Sequence, residues 1–373
     1  MRTHLGNAPL SALVLVAAGL CGAAQAASRA ADLQTVRKRY LELIAPSTLD
    51  PKRPEAKTVL ARLDANAERL MKSQVMTGSA PLRGALGKVG NGKPGADGDS
   101  IGGQHFYQMP RLAKAYATRG TRLHRSPVLL KHIVAALEFC EPHVRPGSPR
   151  RGNWWAWDVG IPGALADTLI LAGDGVPAPL RARLLKGLQS LVRTRYRSNY
   201  YGGGANVLYV ALNQLRTAML TGREDYARNA AAAYAAMSST KGELGIQRDY
   251  SYHFHGHGLN MGYGRVQLSY VSRFIYLTAG TSFAMPPEAR RTHEEWFRRF
   301  VVWNSYRGRV SPFTVARDIS RGGSVERRTA LEAAAFLYLA EDGSCRDLAL
   351  SFVREWHDAN PEASFATPSL AAL

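Results

Sequence analysis

Apolar residues recur at three- and four-residue intervals along most of this chain of 373 residues. Such spacing places them on one face of an α-helix, so it predicts amphipathic helices rather than strands. The segments with this pattern are 31–43, 57–72, 127–140, 161–171, 177–194, 206–220, 225–237, 263–277, 287–303 and 325–339. Pro127, Pro177 and Pro287 stand near the beginnings of three segments, where a helix does not need the missing N–H. Strand patterns are scarce, and the sequence therefore predicts an all-α fold.

The order of the helices predicts an incomplete (α/α) toroid or barrel of helical hairpins. Residues 1–26 are interpreted as a signal peptide and residues 27–373 as a single helical domain. Residues 77–104 interrupt the helical pattern, because they are dense in Gly, Pro, Asn and Asp. We interpret them as a long surface loop within that domain, which acts as a lid over a cleft or is simply disordered.

The first residues contain the three parts of a secretory signal. Arg2 supplies a positive charge, residues 10–20 an apolar stretch, and residues 24–26 a small-residue cleavage site. The apolar stretch is too short for a permanent anchor, so we expect no stable membrane insertion and a periplasmic or secreted protein.

Cys140 and Cys345 would be the cysteines of the mature chain. An oxidising compartment permits a disulfide between them, and two buried thiols are the alternative.

The chain is strongly basic, with 48 Lys and Arg against 29 Asp and Glu and a formal charge of +19. A charge of this sign favours polyanionic partners. The export signal and the lack of a basic–aromatic recognition motif count against nucleic acid. We therefore expect an acidic polysaccharide substrate and no nucleic-acid partner. A basic surface without a binding role is the alternative.

Two clusters offer groups that bind acidic sugars. Trp154 and Trp155 present indole faces that stack on sugar rings, with Asn153 beside them as a polar contact. Packing of these tryptophans in the core is the alternative. Arg317 and Arg321 suit sugar carboxylates or sulfates, and a solvated basic helix face is the competing interpretation.

Residues 249–264 place three histidines and several tyrosines between glycines, where neither a helix nor an ordinary core strand is favoured. Imidazole and phenol groups together suit proton transfer. His253, His255 and His257 alternate, so an extended chain would direct them to one face, as in a zinc or copper site. Because a convincing fourth ligand is missing, we predict no metal and no cofactor. Acid–base chemistry is assigned to one histidine and to Tyr263.

In order along the chain, these motifs resemble the helical catalytic domain of polysaccharide lyase family 8, the hyaluronate, chondroitin AC and xanthan lyases. The family's Asn-Trp-Trp patch and Gly-Ile-Pro turn match residues 153–155 and 160–162, and its Gly-Ala-Asn turn matches residues 204–206. An Asp-Gly-Ser-Phe-x-x-His segment followed by a tyrosine matches residues 249–263. The family's Arg-x-x-Ser-Arg motif matches residues 317–321.

The resemblance implies cleavage by β-elimination, in which the C5 proton of a uronate is removed and the sugar linked through O4 is expelled. Asn206 would stabilise the charge that moves onto the carboxylate, and His255 would donate to that carboxylate or act as base. Tyr263, in a positive pocket that Arg317 and Arg321 help to form, would take the C5 proton and return it to the leaving oxygen. Substrate binding falls to four residues: Asn153, Trp154, Trp155 and Arg309. We expect all these regions to meet at one groove.

The sequence departs from the family pattern at several points. Tyr250 stands where the family has glycine, and Asn206 lacks the Arg and Asp that commonly follow it. Arg309 follows a glycine well before Arg317, so the two arginines compete for one role. The chain ends soon after these arginines, which predicts a short single-domain relative without the family's C-terminal β-sandwich domains or any catalytic glutamate they supply.

We therefore expect a monomeric carbon–oxygen lyase acting on a uronate-containing polysaccharide such as hyaluronan, chondroitin, alginate or glucuronan. One alternative is a helical-toroid glycoside hydrolase that uses Asp158 and Asp249 as its two carboxylates. The other is a non-catalytic periplasmic protein that binds acidic glycans. It would keep the tryptophans and a basic groove but would not need Tyr263.

Overall fold

A computed structural model of the protein describes residues 28–47, 49–73, 100–150, 154–192, 204–254, 256–306, 309–314, 316, 327–340 and 343–359. Helices dominate these ranges and the strands in them are short, which confirms the all-α fold class. The predicted signal peptide and residues 77–99 of the predicted loop lie outside the described ranges. Among the helices within them, none combines the length and apolar character needed to cross a bilayer.

The helices follow one another along the whole described chain. They are α1 (28–44), α2 (Pro54–Ser73), α3 (Ser100–Ala117), α4 (Pro127–Val144), α5 (Ile161–Ala172), α6 (Ala178–Leu191), α7 (Ala205–Thr221), α8 (Glu224–Met237), α9 (Met261–Thr278), α10 (Pro287–Trp296), α11 (Arg327–Leu339) and α12 (Arg346–Ala359). Single π-helical turns, Ala156–Gly160 and Phe297–Val301, precede α5 and follow α10. Short 3-10 turns occupy Gly173–Gly175 and Pro312–Thr314.

Five short strands complete the described secondary structure. They are β1 (Gly245–Ile246), β2 (Tyr252–Phe254), β3 (His257–Leu259), β4 (Ser305–Tyr306) and β5 (Arg309–Val310). The first three form an antiparallel sheet in chain order, and β4 pairs with β5. The prediction that residues 249–264 avoid strand structure was therefore wrong. Tyr252 and Phe254 alternate with His253 and are buried, which is the period-two pattern of a half-buried strand.

Two helices were missing from the sequence-based prediction. Helix α3 begins at Ser100, so residues 100–104 belong to it and not to the predicted loop. Pro110 lies inside α3 and Gly102 and Gly103 lie near its start, and both residue types disfavour a helix interior. Tertiary packing of the apolar face of α3 overrides these local preferences. The other missing helix is α12, and the helix predicted over 287–303 changes to a π-turn after Trp296.

The odd-numbered helices from α3 to α11 pack side by side in one layer, and even-numbered helices pack against them. Neighbours in this layer run in the same direction. Between α5 and α7, Asn213 donates to the carbonyl of Val159 at 2.8 Å, and Arg216, further along, pairs with Asp167 at 2.8 Å. We call the odd-numbered helices from α3 to α11 the inner helices and the even-numbered helices packed against them the outer helices. Their alternation is what the (α/α) toroid predicts, and closure of the inner layer into a ring stays a prediction.

The remaining neighbours in the layer show the same direction. Tyr107 in α3 lies against Gly160 just before α5, and Tyr116 near the end of α3 lies against Gly175 just after α5. Phe254 lies against both Gly204, just before α7, and Tyr263 in the first turn of α9. Between α9 and α11, Arg273 pairs with Glu332 at 3.5 Å, and Tyr276 then stacks on Phe336 with 5.9 Å between ring centroids. The inner helices therefore begin at one end of the layer and finish at the other.

The core is large and apolar, and both cysteines of the described chain belong to it. Cys140 and Cys345 are 1% exposed and form no disulfide. Of the two alternatives left open by the sequence, the structure thus has two buried thiols. Burial raises the pKa of both thiols, Cys345 to about 11, so neither is a reactive thiolate at neutral pH.

Acid should destabilise the fold through two buried histidines. His105 and His293 are 2% and 0% exposed, and burial lowers the pKa of His105 to about 4 and that of His293 to about 3. Because an unfolded histidine has a pKa of about 6.5, the unfolded chain binds more protons below that pH. The free energy of unfolding should therefore fall by a few kcal/mol between pH 6.5 and pH 4. Urea denaturation across this range measures the change.

A histidine variant separates this effect from the titration of carboxylates. His293→Gln should flatten the fall between pH 6.5 and pH 5, since the glutamine gains no proton. His357→Gln, at an exposed position in α12, is the matched control and should keep the wild-type slope. A wild-type curve that is level down to pH 4 would contradict the prediction.

Candidate active site

Three residues predicted from the sequence lie at the beginnings of neighbouring inner helices. Trp155 precedes the π-turn that leads into α5, while Asn206 and Tyr263 lie in the first turns of α7 and α9. Because these helices run in the same direction, the three residues lie at the same end of the layer. Helix N-termini also carry unsatisfied N–H groups and a positive partial charge, which favours anionic ligands at this end.

The aromatic patch is accessible rather than buried. Trp154 and Trp155 are 40% and 37% exposed, so neither is a core tryptophan. The ring of Trp155 meets Tyr209 edge-on at 6.1 Å, and Tyr209 in turn meets Tyr270 edge-on at 4.9 Å. These three rings form a continuous aromatic row from the surface into the layer, which suits the apolar faces of sugar rings.

A cavity of about 410 Å³ opens beside Trp155 and is lined by residues from α3, α5, α7 and α9. From α7 come Tyr209, Asn213 and Arg216, which lie three, seven and ten positions after Asn206 and therefore continue its helix face. Tyr270 from α9 lies seven positions after Tyr263. Asn206 and Tyr263 do not line this cavity themselves, but they lie on the two helix faces that the lining residues of α7 and α9 continue. We call it the aromatic cavity.

Two glycines in the family-like turn allow polar side chains to approach α5. A Cβ at Gly160 would collide with the phenol ring and hydroxyl of Tyr107. A Cβ at Gly163 would lie 2.9 Å from Oδ1 of Asn213 and 3.2 Å from Nη1 of Arg216. The close approach of these groups, all of which line the aromatic cavity, therefore requires glycine at both positions.

The floor of the aromatic cavity is a charged network. Arg216 donates to both carboxylate oxygens of Asp167, at 2.8 and 3.0 Å, and to Oδ1 of Asn213 at 2.9 Å. Tyr40 donates its hydroxyl to Asp167 at 2.6 Å, and burial raises the pKa of that phenol, so it stays a donor. The guanidinium and carboxylate side chains are only 13% and 18% exposed. This bidentate arrangement holds the floor rigidly in place.

Tyr263 is held by the end of the small sheet. Asn260 caps α9, since its Oδ1 accepts from the backbone N–H of Tyr263 at 3.3 Å and its Nδ2 donates to the carbonyl of Phe254 at 3.0 Å. The rings of Phe254 and Tyr263 lie 4.5 Å apart. Phe254 also fills the space where a Cβ at Gly204 would stand, and Gly204 has a φ of 64°. One side chain therefore supports both Tyr263 and the turn that carries Asn206.

Residues 249–264 are here called the histidine segment. Asp249 and Ser251, which match the Asp and Ser of the family motif, stabilise a local turn in it. Ser251 donates its hydroxyl to Asp249 at 2.7 Å, and Nε2 of His253 lies 3.0 Å from the same hydroxyl. The hydrogen bonds from Ser251 hold the pKa of Asp249 below its usual value. Asp158, the other carboxylate considered for a hydrolase, is 5% exposed and lies 3.6 Å from Arg150. The lowered pKa of Asp249 does not favour it as the protonated acid that a glycosidase needs.

Tyr250, which replaces a family glycine, has a left-handed backbone with a φ of 65°. Residues with a Cβ disfavour this region by about 1 kcal/mol or more. The guanidinium of Arg299 lies 5.1 Å from the Tyr250 ring and offsets part of that cost through a cation–π contact. Tyr250 therefore occupies a backbone conformation that glycine adopts readily.

Several predicted site residues cannot be placed with these groups. Asn153, His255, Arg317 and Arg321 lie outside the described residues, and Arg309 is described by its backbone, which pairs with Tyr306. Within the described part of the chain, no three His, Cys, Asp or Glu side chains form a cluster suited to a metal. Trp155 apart, the side chains that give the aromatic cavity its rings and polar groups were not predicted from the sequence, among them Tyr107, Tyr209, Asn213, Arg216 and Tyr270. The spacing of the α7 residues from Asn206 was the signal that could have revealed three of them.

The superpositions on solved structures establish the relationship of the fold. A Paenibacillus xanthan lyase superposes with a TM-score of 0.79 and 20% identity, over 92% of this chain and 33% of that one. A chondroitin AC lyase from Streptomyces coelicolor A3 superposes with a TM-score of 0.71 and 18% identity, over 90% of this chain and 50% of that one. At such identities the superpositions show a shared fold alone.

Sequence relatives point to the same group. A hyaluronate lyase of Cutibacterium acnes is 24% identical over 345 residues, which are 86% of this chain and 41% of the relative. Chondroitinase-AC of Pedobacter heparinus is 26% identical over 220 residues, 58% of this chain and 30% of the relative. The chain thus spans less than half the length of these relatives. The family model for the N-terminal α-helical domain of polysaccharide lyase family 8 matches residues 41–347, so the chain belongs to that family.

Proposed function

We propose that this chain carries the catalytic helical domain of a lyase that cleaves a uronate-containing acidic polysaccharide by β-elimination. The observation that supports this most directly is the placement of Trp155, Asn206 and Tyr263 at one end of parallel inner helices, continuous with the aromatic cavity. An aromatic platform, an amide and a phenol at one cationic end are the groups that this reaction needs. Family membership and the named relatives support the same proposal.

Binding would use the aromatic row and the positive charge of the site. The exposed indole of Trp155 and the ring of Tyr209 would stack on sugar rings, while the N-termini of α5, α7 and α9 attract the carboxylates of the chain. The formal charge of +19 extends this attraction beyond the cleft. In this proposal Asn153 and Arg309 add polar contacts to the bound polysaccharide.

Abstraction of the C5 proton needs a sink for negative charge, because the neighbouring carboxylate is already ionised. Asn206 lies in the first turn of α7, where the backbone N–H groups of the helix end carry a positive partial charge that favours an anionic ligand. In our proposal it donates to the uronate carboxylate, and His255 and Arg317 assist it. Donors held in place before the reaction stabilise such charge without reorganising.

Tyr263 would then carry out both proton transfers. Its phenolate takes the proton from C5, the electron pair forms the C4–C5 double bond, and the C4–O4 bond breaks. The tyrosine returns the proton to the departing O4, which leaves a new hydroxyl on one product and an unsaturated uronate on the other. The positive end of α9 and the proposed Arg321 both favour the phenolate. The rigid support from Asn260 and Phe254 suits a group that must face two atoms in turn.

The proposal is tested by assaying the purified protein against hyaluronan, chondroitin, xanthan, alginate and glucuronan. We expect an ultraviolet absorbance from unsaturated uronate with at least one of them, and a KM for that substrate that rises with NaCl because exposed charges are screened. A neutral glucan is the control and should give no absorbance. New reducing ends without absorbance would indicate the hydrolase, and salt-sensitive binding without any cleavage would indicate a glycan-binding protein. Either result would reject the lyase.

The site of action follows from the same proposal. A polysaccharide lyase must meet a polymer outside the cytoplasm, and residues 1–26 have the form of an export signal. We infer that the protein is periplasmic or secreted and acts as a monomer. Mass spectrometry of the exported chain should find its N-terminus at or near Ala27, and an uncleaved cytoplasmic chain would contradict the inference.

A further inference from the structure

A second cavity, of about 490 Å³, lies at the opposite end of the helical layer from Tyr263. Its walls come from α1, from the C-terminal end of α5, and from the turn that follows α3. Four basic side chains line it, which are Arg37, Arg119, His124 and Arg125. We call it the distal cavity, and it shares no lining residue with the aromatic cavity.

The arginines of the distal cavity have no anionic partner. Within the described chain, Arg37, Arg119 and Arg125 make no ion pair and no side-chain hydrogen bond, in contrast to arginines such as Arg145 and Arg216, which pair with carboxylates. Two carboxylates also line the cavity. Glu42 is engaged by the N–H and hydroxyl of Ser47 at 2.9 and 2.7 Å, and the charge of Asp174 acts on Arg181 beside the cavity. Three guanidinium groups around one cavity therefore retain their binding capacity.

Two buried nitrogen atoms of the distal cavity also lack partners. Nε of Arg37 and Nδ1 of His124 are excluded from solvent and make no hydrogen bond within the described structure. Buried polar atoms are almost always hydrogen-bonded, because an unsatisfied donor is costly. A bound group that accepts hydrogen bonds would satisfy Arg37 and, for one tautomer, His124. Both atoms belong to residues that line the same cavity, which points to one ligand.

The backbone of Arg125 adds an independent observation. Its φ is 54°, in the left-handed region that a residue with a Cβ disfavours. The conformation is fixed by a hydrogen bond from its N–H to the carbonyl of Tyr116 at 2.9 Å. Strain of this kind persists where the surrounding structure requires it and is often associated with ligand sites. Here it places a guanidinium at the cavity wall.

The negative partial charge at a helix C-terminus repels anions, and at the end of α5 a basic side chain offsets this charge. Arg181 donates to the carbonyls of Leu169 and Gly173, at 3.2 Å each, at the end of α5 beside the cavity. These carbonyls are therefore satisfied by a cation from outside the lining residues, which leaves Arg37 and Arg125 available to a ligand.

We propose that the distal cavity binds a small oxyanion: a carboxylate, sulfate or phosphate group held by Arg37, Arg125 and Arg119. Guanidinium groups bind such oxyanions through paired N–H donors. The group could arrive as a free inorganic ion or as the acid group of a sugar. The proposal does not depend on lyase activity, because the cavity is separate from the catalytic end.

Isothermal titration calorimetry of the full chain tests it, with sodium sulfate, sodium phosphate and sodium glucuronate at constant ionic strength. We expect saturable binding of one equivalent of at least one ligand, and Arg37→Gln should weaken that binding by about tenfold or more. Binding of sulfate or phosphate but not glucuronate would assign a free ion, and the reverse would assign a sugar acid. Calorimetry is preferred to thermal shift because sulfate stabilises most proteins without binding.

Two matched variants keep the test decisive. Arg354→Gln removes an exposed arginine from α12, far along the chain from the cavity, and should bind like the wild type. Arg125→Gln removes an exposed cavity arginine and serves if Arg37→Gln does not fold, as judged by circular dichroism. Absence of saturable binding by all three ligands would overturn the proposal. Equal affinity in the wild type and the cavity variants would overturn it as well. Neither result bears on cleavage of polysaccharide.

Discussion

Tyr263→Phe should lower kcat by roughly 10²–10⁴-fold on whichever uronate polysaccharide the protein cleaves, which is the usual loss on removal of an acid–base group. The substitution removes only the hydroxyl, so the ring still packs 4.5 Å from Phe254 and the cap from Asn260 is intact. Substrate affinity should change little, because Trp155 and the aromatic cavity are unaltered. Initial rates from ultraviolet absorbance, with binding measured separately, give both quantities.

Matched variants define what that result means. Tyr276→Phe removes a hydroxyl from the same helix but outside the proposed site, where the ring stacks on Phe336, and should retain wild-type turnover. Asn206→Ala should lower kcat by roughly 10²–10³-fold, as expected for loss of a donor to developing charge. Near-wild-type turnover in Tyr263→Phe would remove this tyrosine from the mechanism.

Chelation distinguishes the remaining interpretation of the histidine segment. EDTA should leave turnover unchanged if the proton transfers are carried out by side chains alone. The reason is that His253 is already engaged with Ser251 at 3.0 Å, in a turn stabilised by Asp249. Loss of activity on chelation, restored by zinc or copper, would revive a metal site made by His253, His255 and His257.

The fold class could be predicted because helix periodicity is a local property of the sequence. Segments such as 206–220 and 263–277 agree with α7 and α9 to within a few residues, since their apolar positions face the core at regular intervals. Helix α3 could not be predicted in this way. Pro110 in its interior breaks the local pattern, and the favourable contacts come from other helices, namely α2, α4 and α5, rather than from α3 itself.

Candidate site residues can be proposed from sequence alone where chemically versatile side chains are concentrated in short motifs. Trp154, Trp155, Asn206 and Tyr263 are recognisable by residue type and by their neighbouring glycines. The floor of the aromatic cavity depends instead on the relative register of α5 and α7, which sets Asp167 against Arg216. No local pattern contains that register, so a buried ion pair between separate helices is visible only in the structure.

The distribution of charge along the helical layer connects fold and site. The inner helices run in one direction, so their N-termini create a positive end in addition to any charge that arginine side chains supply there. That end carries the exposed aromatic patch and the two candidate catalytic groups, Asn206 and Tyr263. The opposite end would be negative, and there Arg181 satisfies the carbonyls of α5. The proposed anionic substrate would therefore be attracted to the end that carries Asn206 and Tyr263 partly by the backbone itself.

Asp167→Ala should lower the free energy of unfolding by about 3 kcal/mol, because it leaves the Arg216 guanidinium nearly buried without its carboxylate. The value lies at the lower end of the range for buried pairs, since both side chains keep some exposure to the aromatic cavity. Urea denaturation at pH 7 gives the change. Asp225→Ala breaks the exposed pair with Arg223, at 41% and 48% exposure, and should change stability by less than about 1 kcal/mol.

A double-mutant cycle then separates loss of the pair from loss of packing. Arg216→Met keeps an unbranched apolar side chain and removes the charge, so Asp167→Ala in that background should cost about 1–3 kcal/mol less than in the wild type. Such coupling would show that the network acts as a unit beneath the aromatic cavity. Additive effects of the two substitutions would mean that the ion pair contributes no coupling, and the floor would then be held by packing and by the bond from Asn213 to Val159. Because Arg216 also lines the cavity, parallel measurement of KM in Arg216→Met would show whether the same guanidinium contacts substrate.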